Sequence, residues 1–434
     1  MAEKLKTIVD RLLTGLLGDA EHAEHDRPTL MLDLLSDWLP YRVYDPASRL
    51  YFNARSKGFV LAVTPLIGAD ERTGEILGSF FSEGLPPGAC LQVLHLASPR
   101  ISRIVAPWFA PRYVQGGVYE AIARHRARRL YGLVWESGSQ DAPFHARHHQ
   151  VIVSVGVPAA KAVSNEDLKQ TRDGVPEIGT VYPDAFDVRH FSSRNMPERW
   201  APWECARLIG DMFTDKLRFP CPAATMLCLV YPDQEAASAK AGFKFMRTTS
   251  LAGTRSARFL PRIGEQAAEW QHVQSELQEG RRLVRVFYGL TTYSPLGRGD
   301  RDERAIKSIY KAAGWDLADE RYLQIQGLLA AMPMTLADGL GADMERLKTV
   351  LSTTAANIAP MQGEYLGSVH PHLLFVGRRG QPFFWSPFEN DAGNHNVAIC
   401  GKSGSGKSVL LQEMCAALRG AGAQVVVIDD GRSF

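Results

Sequence analysis

The sequence predicts an α+β fold over most of its length, closing on a strand–loop–helix–strand unit of α/β type. Three observations carry this prediction. Short β-branched runs bounded by Gly and Pro recur from Leu39 onward, and helical stretches alternate with them. After Asn396 the pattern changes to an apolar run, a glycine-rich loop, a helix and a second apolar run. At 434 residues the chain is long enough for two or three domains.

The elements follow in order. Leu5, Ile8, Val9, Leu12, Leu13 and Leu16 repeat at helical spacing among Lys4, Lys6, Asp10 and Arg11. This amphipathic helix either packs on its own domain or lies on a membrane or partner helix. The polar stretch Asp19 to Pro28, with His22 and His25 facing solvent, reads as a linker, so 1–30 form one unit. A module over 31–160 has strands at Tyr51–Phe52, Gly58–Thr64, Cys90–Leu96 and Val151–Val157, with helices at Ile76–Glu83 and Tyr119–Leu130. A second α+β region over 161–385 opens with a helical, Pro-interrupted stretch at 165–220. Strands are predicted at Leu227–Tyr231 and Leu283–Leu290, and helices at Glu265–Gly280, Asp302–Ala313 and Leu323–Ala331. No exact internal repeat is visible.

Composition excludes several classes. The formal net charge is +2, so bulk electrostatics do not announce a nucleic-acid partner, and direct DNA binding is not expected. Arg100 to Arg147 holds eight arginines and no lysine, with Arg124, Arg126, Arg128 and Arg129 closely spaced. A solvated helix face accounts for them, with an anionic surface as the alternative. The six cysteines, Cys90, Cys205, Cys221, Cys228, Cys400 and Cys415, form no CxxC pair, which argues for reduced thiols in a cytoplasmic protein. No apolar run approaches the roughly 20 residues that span a bilayer, so a soluble or at most peripheral protein is expected. His145, His148 and His149 read as a basic solvated loop rather than a metal site, because adjacent residues of an extended chain face opposite ways. Trp200, Trp203 and Trp270 read as core or interface anchors.

The C-terminal region, 386–434, carries the chemistry. Val397–Cys400 reads as a strand running into Gly401-Lys402-Ser403-Gly404-Ser405-Gly406-Lys407-Ser408, a full G-x-x-x-x-G-K-[ST] match. Val409–Arg419 reads as a helix and Gln424–Asp430 as a second strand. Glycines at 401, 404 and 406 let the backbone turn its N–H groups onto phosphate oxygens, and the helix N-terminus adds positive potential. Lys407 would reach the β- and γ-phosphates of ATP, and Ser408 would hold Mg2+. Gly401, Lys402, Ser403, Gly404, Ser405, Gly406, Lys407 and Ser408 are therefore the candidate nucleotide-binding residues. Asp429 and Asp430 follow the second strand too directly for the magnesium role, and a contact beside the site is the preferred reading. One such unit cannot bury a core alone, so the nucleotide domain is expected to be incomplete.

Beyond this motif the chain resembles the TraC-type conjugation ATPases, the assembly ATPases of type IV secretion systems. Leu39-Pro40-Tyr41-Arg42, Tyr44-Asp45, Gly58-Phe59 and Pro65 are similar to the family's opening block, and Leu85-Pro86-Pro87-Gly88 to its next turn. Ala268-Glu269-Trp270, Val284–Tyr288, Pro333, Asn357-Ile358-Ala359-Pro360 and Ile428 through Phe434 resemble later blocks in the same order. The resemblance implies an N-terminal α+β domain that docks on inner-membrane components of the secretion system, and a RecA-like domain that hydrolyses ATP as a hexamer. It implies a cytoplasmic location, peripheral at the bacterial inner membrane. Its magnesium acid, catalytic glutamate and arginine finger would fall beyond Phe434, which leaves turnover by this chain in question. The function expected is powering the assembly of a pilus or transfer channel. The alternatives are a docking module that binds nucleotide without turnover and, less favoured, a motor that pumps DNA.

Overall fold

The computed structural model describes residues 39–82, 85–136, 144–159, 186–197, 200–210, 217–254, 261–320, 324–338, 346–390 and 393–428. The N-terminal amphipathic helix, His22, His25, Asp429 and Asp430 lie outside these residues. The chain begins with β1 (Tyr41–Asp45), β2 (Leu50–Asn53) and β3 (Ser56–Val63), then α1 (Glu71–Ser82) and β4 (Cys90–Ser98). A helical pair, α2 (Ser102–Gln115) and α3 (Gly117–Gly132), leads to β5 (His148–Pro158). Next come β6 (Phe186–Asn195), α4 (Cys205–Leu208) and β7 (Ala223–Val230). A second pair, α5 (Gln234–Ala252) and α6 (Pro261–Gln278), precedes β8 (Leu283–Pro295). The remainder is α7 (Gly299–Ala312), β9 (Asp316–Asp319), α8 (Gln324–Ala330), β10 (Lys348–Leu351), α9 (Ser352–Asn357), β11 (Leu373–Val376), β12 (Pro382–Trp385) and α10 (Lys407–Gly420).

Ten strands form one sheet in the order β1-β2-β3-β5-β4-β7-β8-β6-β9, with β10 also paired to β8. Every pairing in it is antiparallel. The helical pairs explain this direction. A single crossover helix returns the chain to the starting end and yields a parallel neighbour, whereas two helices cancel and the next strand runs back. The fold is thus mixed α and β on a large antiparallel sheet.

The connectivity repeats although the sequence does not. β3-α1-β4-α2-α3-β5 and β6-α4-β7-α5-α6-β8 each place their last strand between the other two. The two units meet at β4 and β7, paired from Cys90↔Val230 to Ala97↔Ala223. The boundary expected at 160/161 is therefore spanned by a continuous ladder.

Both faces of the central strands are covered, which is why β7 reads as a nearly unbroken apolar run. On one face Leu91, Val93, Leu227, Leu229 and Tyr288 pack with Ile306, Ile309 and Tyr310 of α7 and Ala355 of α9. On the other, Leu94, Met226 and Phe287 pack against Leu329 and Ala330 of α8. Gln92 fixes that second layer: its Nε2 donates to Ala330 O (2.9 Å) and Met332 O (3.1 Å), and its Oε1 accepts from Met334 N (3.0 Å). Trp315 is the aromatic hub of the first face, against Tyr288, Tyr310 and Trp200 at 4.7, 6.3 and 5.4 Å between centroids. Trp200 is the anchor expected of it. Trp270 carries Lys244 over its ring, and Trp203 is largely exposed.

Three expectations are corrected, and one helix was not foreseen. Residues 186–195, expected to be helical and Pro-interrupted, form β6, whose Asp187, Arg189 and His190 hide the usual apolar alternation. α1 starts five residues earlier than Ile76, because Asp70 caps it by accepting from Thr73 N at 2.8 Å. The unforeseen helix is α2, which forms with Pro107 and Pro111 inside it. The histidines do not form a solvated loop. His148 and His149 belong to β5, paired with Ser98 and Ala97. His149 is buried, with its Nδ1 3.1 Å from Nε2 of the stacked His95.

Burial holds these imidazoles neutral. His95 is pushed down to about 4 by desolvation and then by Arg379, and His190 to about 4 by desolvation. His149 lies well below 6.5 for the same first reason, with His95 adding to it. Between pH 6.5 and 4 the unfolded chain takes up protons that the folded chain refuses. Stability is therefore full above pH 6.5 and falls on acidification, because protonation favours the unfolded chain. Urea unfolding at pH 7 and pH 5 should show a smaller loss for His95→Gln than for wild type; an equal loss contradicts the assignment. Trp315→Ala should cost about 3–5 kcal/mol in the same assay, and a loss below about 1 kcal/mol would remove Trp315 as the hub.

Candidate functional site

The glycine loop lies at the start of α10, and its conformation follows from its glycines. Gly404 (φ 76°) and Gly406 (φ 88°) sit in the left-handed region that side chains disfavour, and Gly406 is the N-cap of α10. The first intrahelical bond runs from Leu410 N to Gly406 O (2.9 Å), so the N–H groups of Lys407, Ser408 and Val409 precede it. These are the donors that a helix start offers an anion. Lys407 folds back over the loop, its Nζ donating to Gly401 O (2.9 Å) and Lys402 O (3.0 Å). A Cβ on Gly401 would stand 2.6 Å from Ser405 Oγ, so the loop closes tightly at its base. Gly401 through Gly406 and Ser408 are exposed. The Lys407 ammonium thus ties the helix start to the first two of the eight sequence-predicted residues, Gly401 and Lys402.

The two flanking strands are a correction. Val397–Cys400 and Gln424–Ile428 carry no ladder, and Val426 and Ile428 are almost fully exposed. An extended run becomes a strand only when its backbone groups find a partner, and none of the described strands pairs with either. The helix between them, predicted from Val409, begins at Lys407.

What seats α10 was not legible as function. Met414 and Ala417 pack on Leu373 of β11, with Phe375, Trp385, Ile399, Leu410 and Leu418 around them. β11 and β12 form a separate two-stranded ribbon. α10 also meets α2 and α3, where the arginine reading is corrected. Arg124, Arg128 and Arg129 are exposed, but Arg112 and Arg147 are buried and Arg126 leans inward. Arg112 donates to Ala417 O of α10 at 2.8 Å and lies 4.4 Å over the Trp108 ring. Arg126 pairs with Glu413 of α10 and donates to Leu374 O of β11. The signal that marked Arg112 was its place one helical turn after Trp108, which puts both on one face.

A second concavity, lined by Asp187, Arg189, Asp300, Glu303 and Asp319, is a self-contained ion network. Arg189 pairs with Asp187, Asp300 and Glu303, and Lys307 with Glu303 and Asp319. Among the described residues no group of three or more His, Cys, Asp or Glu is placed to hold a metal, and no helix is long and apolar enough to cross a membrane. The six cysteines are free thiols.

Comparison with known proteins identifies the scaffold. The family model described as TraC protein matches residues 35–177 and 174–336. The chain belongs to the TraC family. Protein TraC of Escherichia coli (strain K12) is 23% identical over an alignment covering all of this chain and 59% of that relative. The chain thus spans about three-fifths of the length of the TraC relative it matches. The family match covers β1 through β9 and the helices between them, whereas the alignment with the TraC relative also takes in the glycine loop.

The loop geometry makes a paired prediction. Gly406→Ala should destabilise α10 by about 1–2 kcal/mol through its left-handed backbone, read as faster amide exchange in that helix. Gly242→Ala, in the middle of α5 with nothing within 4 Å of its added Cβ, should stabilise by about 0.5–1 kcal/mol. Equal effects of one sign would contradict the conformational argument.

Proposed function

We propose that this chain binds ATP with Mg2+ at Gly401–Ser408 and belongs to an energy-coupling assembly ATPase of a conjugation or type IV secretion system. The observation that carries the reading is the loop itself. A full G-x-x-x-x-G-K-S sequence stands at a helix start, with two left-handed glycines and a lysine curled into the turn. Backbone N–H groups and the positive end of α10 suit a β/γ-phosphate, and the Lys407 ammonium would reach it on leaving the carbonyls of Gly401 and Lys402. Ser408 is one residue into α10 and supplies the hydroxyl for magnesium. In this reading α10 is the first helix of a RecA-like α/β domain, and Val397–Cys400 and Gln424–Ile428, which carry no ladder in this structure, would become strands only on pairing within that domain.

TraC membership supports the conjugative role, and the antiparallel sheet domain would be the part that docks on inner-membrane components of the secretion machinery. Residues 401–408 would then act in a homo-oligomer, a hexamer by family resemblance, at the cytoplasmic side of the bacterial inner membrane. Hydrolysis would power assembly of a pilus or transfer channel.

A second reading, nucleotide binding without turnover, is favoured by one feature of the helix. Glu413, the sole carboxylate of α10, is engaged by Arg126 rather than turned toward the loop. Titration of the 434-residue chain with Mg2+ and a slowly hydrolysed ATP analogue tests the site. Lys407→Ala should weaken binding at least about tenfold, about 1.4 kcal/mol. Undiminished binding in Lys407→Ala would refute the loop as the site. Turnover that depends on Lys407 would decide for the enzyme over the docking module.

A further inference from the structure

We infer that Arg112 and Arg126 form a two-point latch that couples the occupancy of the glycine loop to the α2–α3 helical pair. The inference rests on the nucleotide reading of that loop. It assigns both arginines as positioning residues, acting through α10.

The latch is built on one face of α10. Glu413 and Ala417 are four residues apart and so lie one above the other, running from the middle of the helix to its last turn. Arg126 of α3 takes the Glu413 carboxylate, and Arg112 of α2 takes the Ala417 carbonyl at 2.8 Å. The same two guanidinium groups hold the ribbon: Arg112 donates to Pro371 O (3.4 Å) and His372 O, and Arg126 to Leu374 O. A further bond from Arg112 to Trp108 O (2.6 Å) fixes it to its own helix. Both guanidinium groups also lie over the Trp108 ring, at 4.4 and 5.6 Å. Three separate segments, α2–α3, the start of β11 and α10, therefore meet at two cations.

Packing alone does not account for this choice of residue. Burying a guanidinium costs several kcal/mol, and an apolar side chain of similar volume would fill the space at lower cost. What Arg112 adds is direction: a planar fork bonded to carbonyls of three segments fixes their relative positions. The contact has little slack, since a Cβ on Gly420 would come within 3.2 Å of Arg112 Cγ and 3.4 Å of Tyr119 Cδ1. Burial and the neighbouring Arg126 bring the Arg112 guanidinium down to about 10.

The other end of α10 must change when phosphate arrives. Lys407 has to leave the carbonyls of Gly401 and Lys402 to meet the anion, which re-forms the turn at the helix start. A 14-residue helix is a rod of about 21 Å, and a shift at its start appears at Glu413 and Ala417. By linkage, whatever α2–α3 binds would alter nucleotide affinity by the same factor.

Amide hydrogen exchange on the 434-residue chain, with and without Mg·ADP, tests the latch in wild type, Arg112→Gln, Arg126→Glu and Arg126→Glu/Glu413→Arg. Nucleotide should slow exchange in residues 401–415 and also, by roughly fivefold, in 102–132. Arg126→Glu should keep the first effect and lose the second, and the charge-reversed double variant should recover it. Arg126 is only half-buried, so this pair stands even where Arg112→Gln perturbs folding. Protection confined to 401–420 in wild type, or remote protection unchanged in Arg126→Glu, overturns the latch alone. No change anywhere, the loop included, overturns the nucleotide reading and the latch with it.

Discussion

The antiparallel ladder between β4 and β7 is the constraint on which the rest of this molecule depends. It joins two units of like connectivity, and its residues Leu91, Val93, Leu227 and Leu229 are core on one face while Leu94 and Met226 are core on the other. A strand pair covered on both sides must satisfy every backbone donor and acceptor within the sheet, because no water reaches it. Its register is equally fixed, since a one-residue slip would exchange the two faces. From this junction each half sends out a helical pair, and the pair leaving β4 carries Trp108, Arg112 and Arg126 to the place where α10 is seated. The candidate nucleotide loop is thus positioned at third hand: sheet to helical pair, helical pair to α10, α10 to loop.

This arrangement separates two kinds of evidence. The family model matches the sheet and its helices, the nucleotide reading comes from eight residues further along the chain, and the alignment with the TraC relative covers both. Arg112 and Arg126 join the helical pair of the first to the helix that follows the second. The ion network around Arg189 and Lys307, by contrast, is satisfied internally and needs no ligand to explain its carboxylates.

Legibility in the sequence followed the range of the interaction. The loop and the body of α10 were readable because glycine permissiveness, the helix start and the lysine all act within a dozen residues. The strands β3, β4, β5, β7 and β8 were readable from β-branched runs. β6 was not, since its pairing with β8 and β9 lets polar residues occupy strand positions. The placement of His149 and Arg112 was hidden for a similar reason. Each is a polar residue whose burial is decided by partners far along the chain, Gln381 for the backbone of His149 and Ala417 for Arg112. α5 is long and largely exposed, and its start is set by Asp233 accepting from Ala236 N at 2.8 Å. The strand order could not be read at all, because it is set by which ladders close rather than by any one segment.

The central claim is that the Gly401–Ser408 turn, held by α10 on this sheet scaffold, is where nucleotide phosphates sit. An experimental structure of the chain with Mg·ADP measures it most directly. The account predicts the β-phosphate within hydrogen-bonding distance of the N–H groups at the start of α10 and of Lys407 Nζ, with Lys407 released from Gly401 and Lys402. Nucleotide bound elsewhere, or Lys407 still folded on those carbonyls beside an occupied site, would contradict it.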